Sequence, residues 1–208
     1  MPKITEPMTM VTDYLLAIFA WIFAYFILAN GYDEVQLYWS LSLIVTGIGA
    51  VGGGSSHGFK EFFSEKVNSV LWKTSIIPIG IGAYLMSVAS INSSLDWQYR
   101  WIINLLLAFT TLLYCAWIAF VNDKFIYVIL YYAPLMVLVL AFQVLRYLLS
   151  HLGGYIILGV LVSFLAAGIQ IAMKGKLPKH FNNNDLFHLV QIIGLYLFYL
   201  GADLSYLL

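Results

Sequence analysis

The chain has 208 residues, 62% of them hydrophobic and only 10% charged, with a formal net charge of zero. An ordinary soluble domain carries about 25% charged residues, so a water-soluble globule is excluded. The zero net charge also excludes a general attraction to nucleic acid.

A membrane-spanning helix needs about 20 mostly apolar residues. Seven such runs, at 13–30, 37–56, 68–91, 101–121, 125–147, 153–173 and 185–207, predict an all-α membrane protein with a single seven-transmembrane-helix domain over 1–208. The first residues, MPKITEPMTM, lack the charged-then-apolar pattern of a signal peptide, which predicts that the first run is retained as a span. The connections are short, so function is expected in the bundle and its rims. With seven spans, the N-terminus and alternate loops share one side. That side carries Lys3, Lys60, Lys66, Lys124, Lys174, Lys176 and Lys179, against Arg100 and Arg146 on the other. The bias predicts the N-terminus inside and the C-terminus outside, and the compact size points to a bacterial inner (cytoplasmic) membrane.

In helix 1, Thr12 or Asp13 is expected to cap the N-terminus. Helix 2 ends in TGIGAVGGGSSHGFKEFF. Its glycines spell G-x-G-x-x-G, but no strand precedes them and no βαβ unit surrounds them, so a dinucleotide site is excluded. Glycines at this spacing instead predict close helix approach, with some loosening of the helix end. Ser55, Ser56 and His57 follow. In helix 3, Lys73 is expected to snorkel to the interface, and Pro78 to kink the helix. Asn104 and Gln143 fall near the outer rim. Cys115 is a lone cysteine in an apolar run and forms no intrachain disulfide.

Helix 7 opens on FNNNDLFHLVQ. Asn184 and His188 are four apart, and Asp185 and His188 three apart, so each pair shares a helix face. Helix 2 ends on the rim where helix 7 begins, so His57 and His188 are expected at one depth. Ionisable groups within a span are costly, and they point to function. Two imidazoles and a carboxylate suit zinc: His57 and His188 as ligands, with Asp185 as third ligand or general base. A metal-free site is equally open, with Asp185 orienting a histidine base and Ser55 or Ser56 stabilising an oxyanion or acting as nucleophile.

At these residues the chain resembles the CREST superfamily, which joins the alkaline ceramidases and the adiponectin-receptor-like (PAQR) proteins. Those proteins have seven spans, a serine and a histidine at the end of helix 2, and an H-x-x-x-H pair opening helix 7. The resemblance implies a zinc ion and hydrolysis of lipid amides. It places metal ligands at His57 and His188, with Asn184 at the position of the other histidine of the pair. The family serine falls at Gly53.

The expected function is therefore a membrane-embedded, zinc-dependent or metal-free hydrolase of a lipid amide or ester. The alternative is a non-enzymatic lipid-binding sensor or partner protein in which the same groups form a structural hydrogen-bond network. In either case a membrane lipid is the expected substrate or ligand. No inverted repeat favours a transporter, and helix 7 has no lysine for a retinal Schiff base.

Overall fold

Capping residues decide where several of the helices begin. The computed structural model describes residues 1–29, 32–178 and 180–203. In it the chain forms α1 (Pro7–Ala29), α2 (Glu34–Gly58), α3 (Glu65–Asn92), α4 (Trp97–Phe120), α5 (Phe125–Ser150), α6 (Gly154–Ala172) and α7 (Asn183–Asp203). All seven helices are long and apolar enough to cross a membrane, and the chain is an integral membrane protein. Asp33 and Gln36 close a reciprocal capping box at the start of α2. Asn182 and Asp185 do the same for α7: Asn182 Oδ1 accepts from the Asn184 and Asp185 amides, and Asp185 Oδ2 accepts from the Asn182 amide at 2.7 Å.

α1 begins six residues earlier than the apolar run predicts. Pro7 occupies its first helical position, where the missing N–H costs nothing and the fixed φ suits a helix. Thr12 and Asp13 consequently stand more than a turn inside the helix, buried, and do not cap it. Three expectations reach beyond the described residues: Asn30 as the end of helix 1, residues 204–207 of helix 7, and Lys179.

Six helices close a ring in the order α1, α2, α3, α5, α6, α7, with α7 returning to α1 and also touching α2. α4 lies outside it, packed on α3 and touching α5 where Thr111 meets Tyr131 Oη at 2.7 Å. The main core, including Leu16, Ala20, Trp39, Leu43, Met136, Leu195 and Phe198, fills the ring. A smaller core of Ile76, Tyr114, Ile118 and Val128 joins α3, α4 and α5.

The two rims are built differently. One gathers the starts of α1, α3, α5 and α7 with the ends of α2, α4 and α6; it is called here the N-terminal rim. The opposite rim is closed by polar bonds. Arg100 lies 3.0 Å from Glu34, Asn92 donates to Glu34 at 3.1 Å, and Asn104 donates to Asn92 at 2.8 Å, which ties α2, α3 and α4 together. Gln143 of α5 donates to Ser93 Oγ at 3.4 Å. At the N-terminal rim Lys73 Nζ donates to the Ala119 carbonyl at 3.0 Å, so it answers an open carbonyl at the end of α4.

The glycine-rich end of α2 remains helical to Gly58 and does not loosen. Its small residues bring in two neighbours at once. A Cβ at Gly52 would lie 2.8 Å from the Ser75 amide nitrogen and 2.9 Å from the Thr74 carbonyl carbon of α3. A Cβ at Gly54 would lie 2.9 Å from the Tyr14 ring and 3.1 Å from Asp13 Cβ of α1. Close approach between backbones is the usual way helices associate where no water drives them together. Gly52→Val is expected to lower the thermal unfolding midpoint in detergent, since backbone atoms of α3 would have to move, at a cost of about 1–3 kcal/mol. Gly168→Ala, inside α6 where a Cβ meets nothing within 4 Å, is expected to hold or raise the midpoint in the same measurement.

Candidate functional site

The polar residues of α1 recur at helical spacing: Glu6 just before the first turn, then Thr9, Thr12 and Asp13. This stripe faces α2 and α7. His188 of α7 stands against it and is bonded through both ring nitrogens. Nδ1 lies 2.9 Å from Thr12 Oγ1, and Nε2 lies 3.2 Å from Asp13 Oδ1. Asp13, Thr12 and His188 are all buried, at 6%, 3% and 8% exposure. Gly53 of α2 forms the third wall. A Cβ there would come within 3.2 Å of both Asp13 Oδ2 and Ser75 Oγ.

Hydrogen counting shows what this chain of groups can do. Thr12 Oγ1 has one hydrogen and two acceptors in reach, His188 Nδ1 and the Thr9 carbonyl at 3.1 Å. With Thr12 donating to Nδ1, Nε2–H donates to an ionised Asp13. If one proton arrives, Thr12 turns to the Thr9 carbonyl, Nδ1–H donates to Thr12, and the proton rests on the imidazole or on Asp13. Both ring nitrogens of His188 and the Thr12 hydroxyl keep a partner in either state. The site can therefore take up and return one proton without moving a heavy atom, which is the task of a general base. A buried ion pair without such partners would be strongly unfavourable.

The other residues singled out in the sequence gather at the same rim, each with a different partner. Asp185 is fully buried. It accepts from Thr9 Oγ1 at 2.7 Å with one oxygen and from the Asn182 amide with the other. Asn184 turns toward α6 and accepts from Gln170 Nε2 at 2.9 Å. Residues four apart drift about 40° around a helix, and α7 lies between α6 and α1. Asn184 thus meets one neighbour and His188 the other. His57 faces Glu6, Nδ1 to Oε1 at 3.3 Å, and its carbonyl accepts from Thr5 Oγ1. Ser55 Oγ pairs with Tyr14 Oη at 3.1 Å. Ser56 lines a cavity beside His57. His180 is exposed in the turn before α7.

A catalytic zinc ion takes three protein ligands and one water. Among the described residues no three His, Cys, Asp or Glu side chains are placed to hold one ion. His57, His188, Asp185 and Asn184 are committed to Glu6, to Thr12 and Asp13, to Thr9 and Asn182, and to Gln170 respectively. Arranged in this way, the donors do not fit a zinc site. The groups that sequence reasoning missed are Glu6, Thr9, Thr12 and Asp13 as facing groups of the site. Their signal was the three- and four-residue spacing of polar residues, which runs ahead of the apolar run.

Residues 8–205 match DUF6962, a family of unknown function. No curated protein matches the chain.

The pairing of α1 with α7 can be measured directly. His188→Ala and Asp13→Ala are each expected to destabilise the protein by about 3–5 kcal/mol, because each leaves a buried polar partner alone. The double variant is expected to cost less than the sum, with a coupling of about 1–3 kcal/mol in a double-mutant cycle of unfolding in detergent. Additive losses would show that the two groups do not interact.

Proposed function

The chain belongs to the DUF6962 family, and we propose that it is a membrane-embedded hydrolase of a lipid amide or ester that uses acid–base chemistry without a metal step. The observation that carries this reading is the chain Thr12–His188–Asp13, which can accept one proton with every hydrogen bond kept. In this mechanism the attacking water gives its proton to the Thr12 hydroxyl as that hydroxyl passes its own to His188 Nδ1, with Asp13 holding the other ring nitrogen, and the oxygen adds to the lipid carbonyl. The tetrahedral oxyanion is stabilised by the hydroxyl donors at the end of α2, Ser55 with its Tyr14 partner and Ser56. The proton then passes from the imidazolium to the leaving amine or alcohol, so one water is consumed and two products leave. The apolar environment strengthens each of these interactions relative to water. The lysine-rich N-terminal rim is assigned to the cytoplasmic side of a bacterial inner membrane, in keeping with the distribution of basic residues.

A second reading draws on burial. Thr12, Asp13 and His188 are almost closed off, which suits a non-enzymatic lipid sensor or partner whose network holds α1 to α7.

Purified protein given fluorescent ceramide and ester lipids separates the two. Under the hydrolase reading the wild type releases fatty acid, and His188→Gln reduces the rate by at least about 100-fold, the usual scale of general-base catalysis. Full activity in a folded His188→Gln protein would overturn His188 as the base, and no turnover of any lipid by the wild type would decide for the second reading. Elemental analysis of the same sample tests the zinc expectation: stoichiometric zinc lost in His188→Gln would overturn the metal-free mechanism.

A further inference from the structure

A cavity of about 370 Å³ lies at the N-terminal rim between the end of α2 and the first turns of α3. Its wall is rich in hydrogen-bond donors. Ser56 and Ser69 contribute hydroxyls that have no side-chain partner among the described residues. His57 Nδ1 faces Glu6 Oε1 at 3.3 Å, and the residue lines the cavity beside Ser56. Lys60 is exposed at its edge, and its ammonium makes no ion pair among the described residues. The turn that carries Lys60 is pinned, because Asn68 Nδ2 donates to the carbonyls of Lys60 at 2.9 Å and Phe63 at 3.2 Å.

The acids nearby are already occupied. Glu6, the acid in the wall, is held by His57 and Thr9. Glu61 accepts from the Lys3 amide at 3.0 Å. Lys60 forms no direct ion pair with either acid among the described residues. An ammonium and two hydroxyls around one cavity are donors that suit a phosphate group, which offers several strong acceptor oxygens. The same turn exposes Phe62 and Phe63, stacked edge-on with Phe59 at 5.8 and 6.3 Å. Exposed phenylalanines beside a basic residue mark a segment that sits at headgroup depth.

We propose that this cavity binds a phosphate group, with Lys60 supplying the charge and Ser56 and Ser69 the hydroxyl donors. Two sources carry that chemistry: the headgroup of an anionic membrane lipid, and inorganic phosphate from the aqueous side. As a binding site the inference stands apart from the hydrolase reading. As a definition of substrate class, a phosphate-bearing lipid, it rests on that reading.

The test is equilibrium binding to the purified full chain in neutral detergent. The probes are phosphatidic acid, diacylglycerol with the same acyl chains, and inorganic phosphate; the proteins are wild type, Lys60→Gln, Ser69→Ala and His188→Gln. Phosphatidic acid is expected to bind, diacylglycerol to bind at least about tenfold more weakly, and Lys60→Gln to lose about tenfold, the scale of one charge-assisted hydrogen bond. Ser69→Ala is expected to lose less. Competition by inorganic phosphate at equal concentration would assign the site to the free ion; failure to compete would assign it to the lipid. Equal binding of diacylglycerol, or unchanged binding by Lys60→Gln, would overturn the proposal. His188→Gln separates the two readings: phosphatidic acid bound alike by it and by a wild type that hydrolyses no lipid would sink the hydrolase and leave the phosphate site standing.

Discussion

The side chains of Asp13 and His188 stand 3.2 Å apart inside a ring of apolar helices, and each gives the other a partner for a buried polar group. An ionised carboxylate in a medium of low polarity loses its hydration, and only a close, hydrogen-bonded partner offsets that loss. The requirement reaches through the fold. It sets α1 beside α7, and it needs Thr12 to satisfy the far ring nitrogen of His188. It also needs glycine at 53 and 54, because a Cβ at either position would crowd Asp13 or Tyr14. Three helices far apart in sequence are thus committed to one small volume.

The two ends of the bundle divide the work. At the opposite rim Glu34, Arg100, Asn92 and Asn104 form a network across three helices, with the Arg100–Trp97 cation–π contact at 5.4 Å beside it. Groups paired in this way hold helices in register. The N-terminal rim carries most of the lysines, a chain of groups able to hold a proton, and a cavity with unused donors. An apolar scaffold fixed at one end leaves chemistry free to collect at the other. Sites built on rigid elements keep their geometry better than sites on loops.

How far the site was legible depends on the residue. His188 and Asp185 were visible because an acid and an imidazole interrupt an otherwise apolar span. Asp13 was visible as a residue and misread as a cap, since the span was dated from its apolar run and Pro7 was not used as a helix start. With the helix begun at Pro7, Thr9, Thr12 and Asp13 fall on adjoining positions of one face. Asn184 and His188 were expected to act together because of their four-residue spacing. Spacing places two residues on a face, but which neighbouring helix lies across from each depends on where α7 is wedged between α6 and α1.

What the sequence determined by itself was the architecture: seven apolar runs of membrane-crossing length, short connections and an uneven share of lysines, all readable because the bilayer imposes its thickness and polarity on each segment separately. It also marked the rim where the functional groups gather, since helix count alone puts the end of α2 and the start of α7 on one side. The tertiary structure decided the pairings. That His188 Nε2 faces Asp13 while His57 Nδ1 faces Glu6, that Asp185 locks a cap while bonding Thr9, and that Gly52 to Gly54 seat both α1 and α3 are consequences of helix order and rotation in the ring. Those are set by the packing of all seven helices together, which no single stretch encodes.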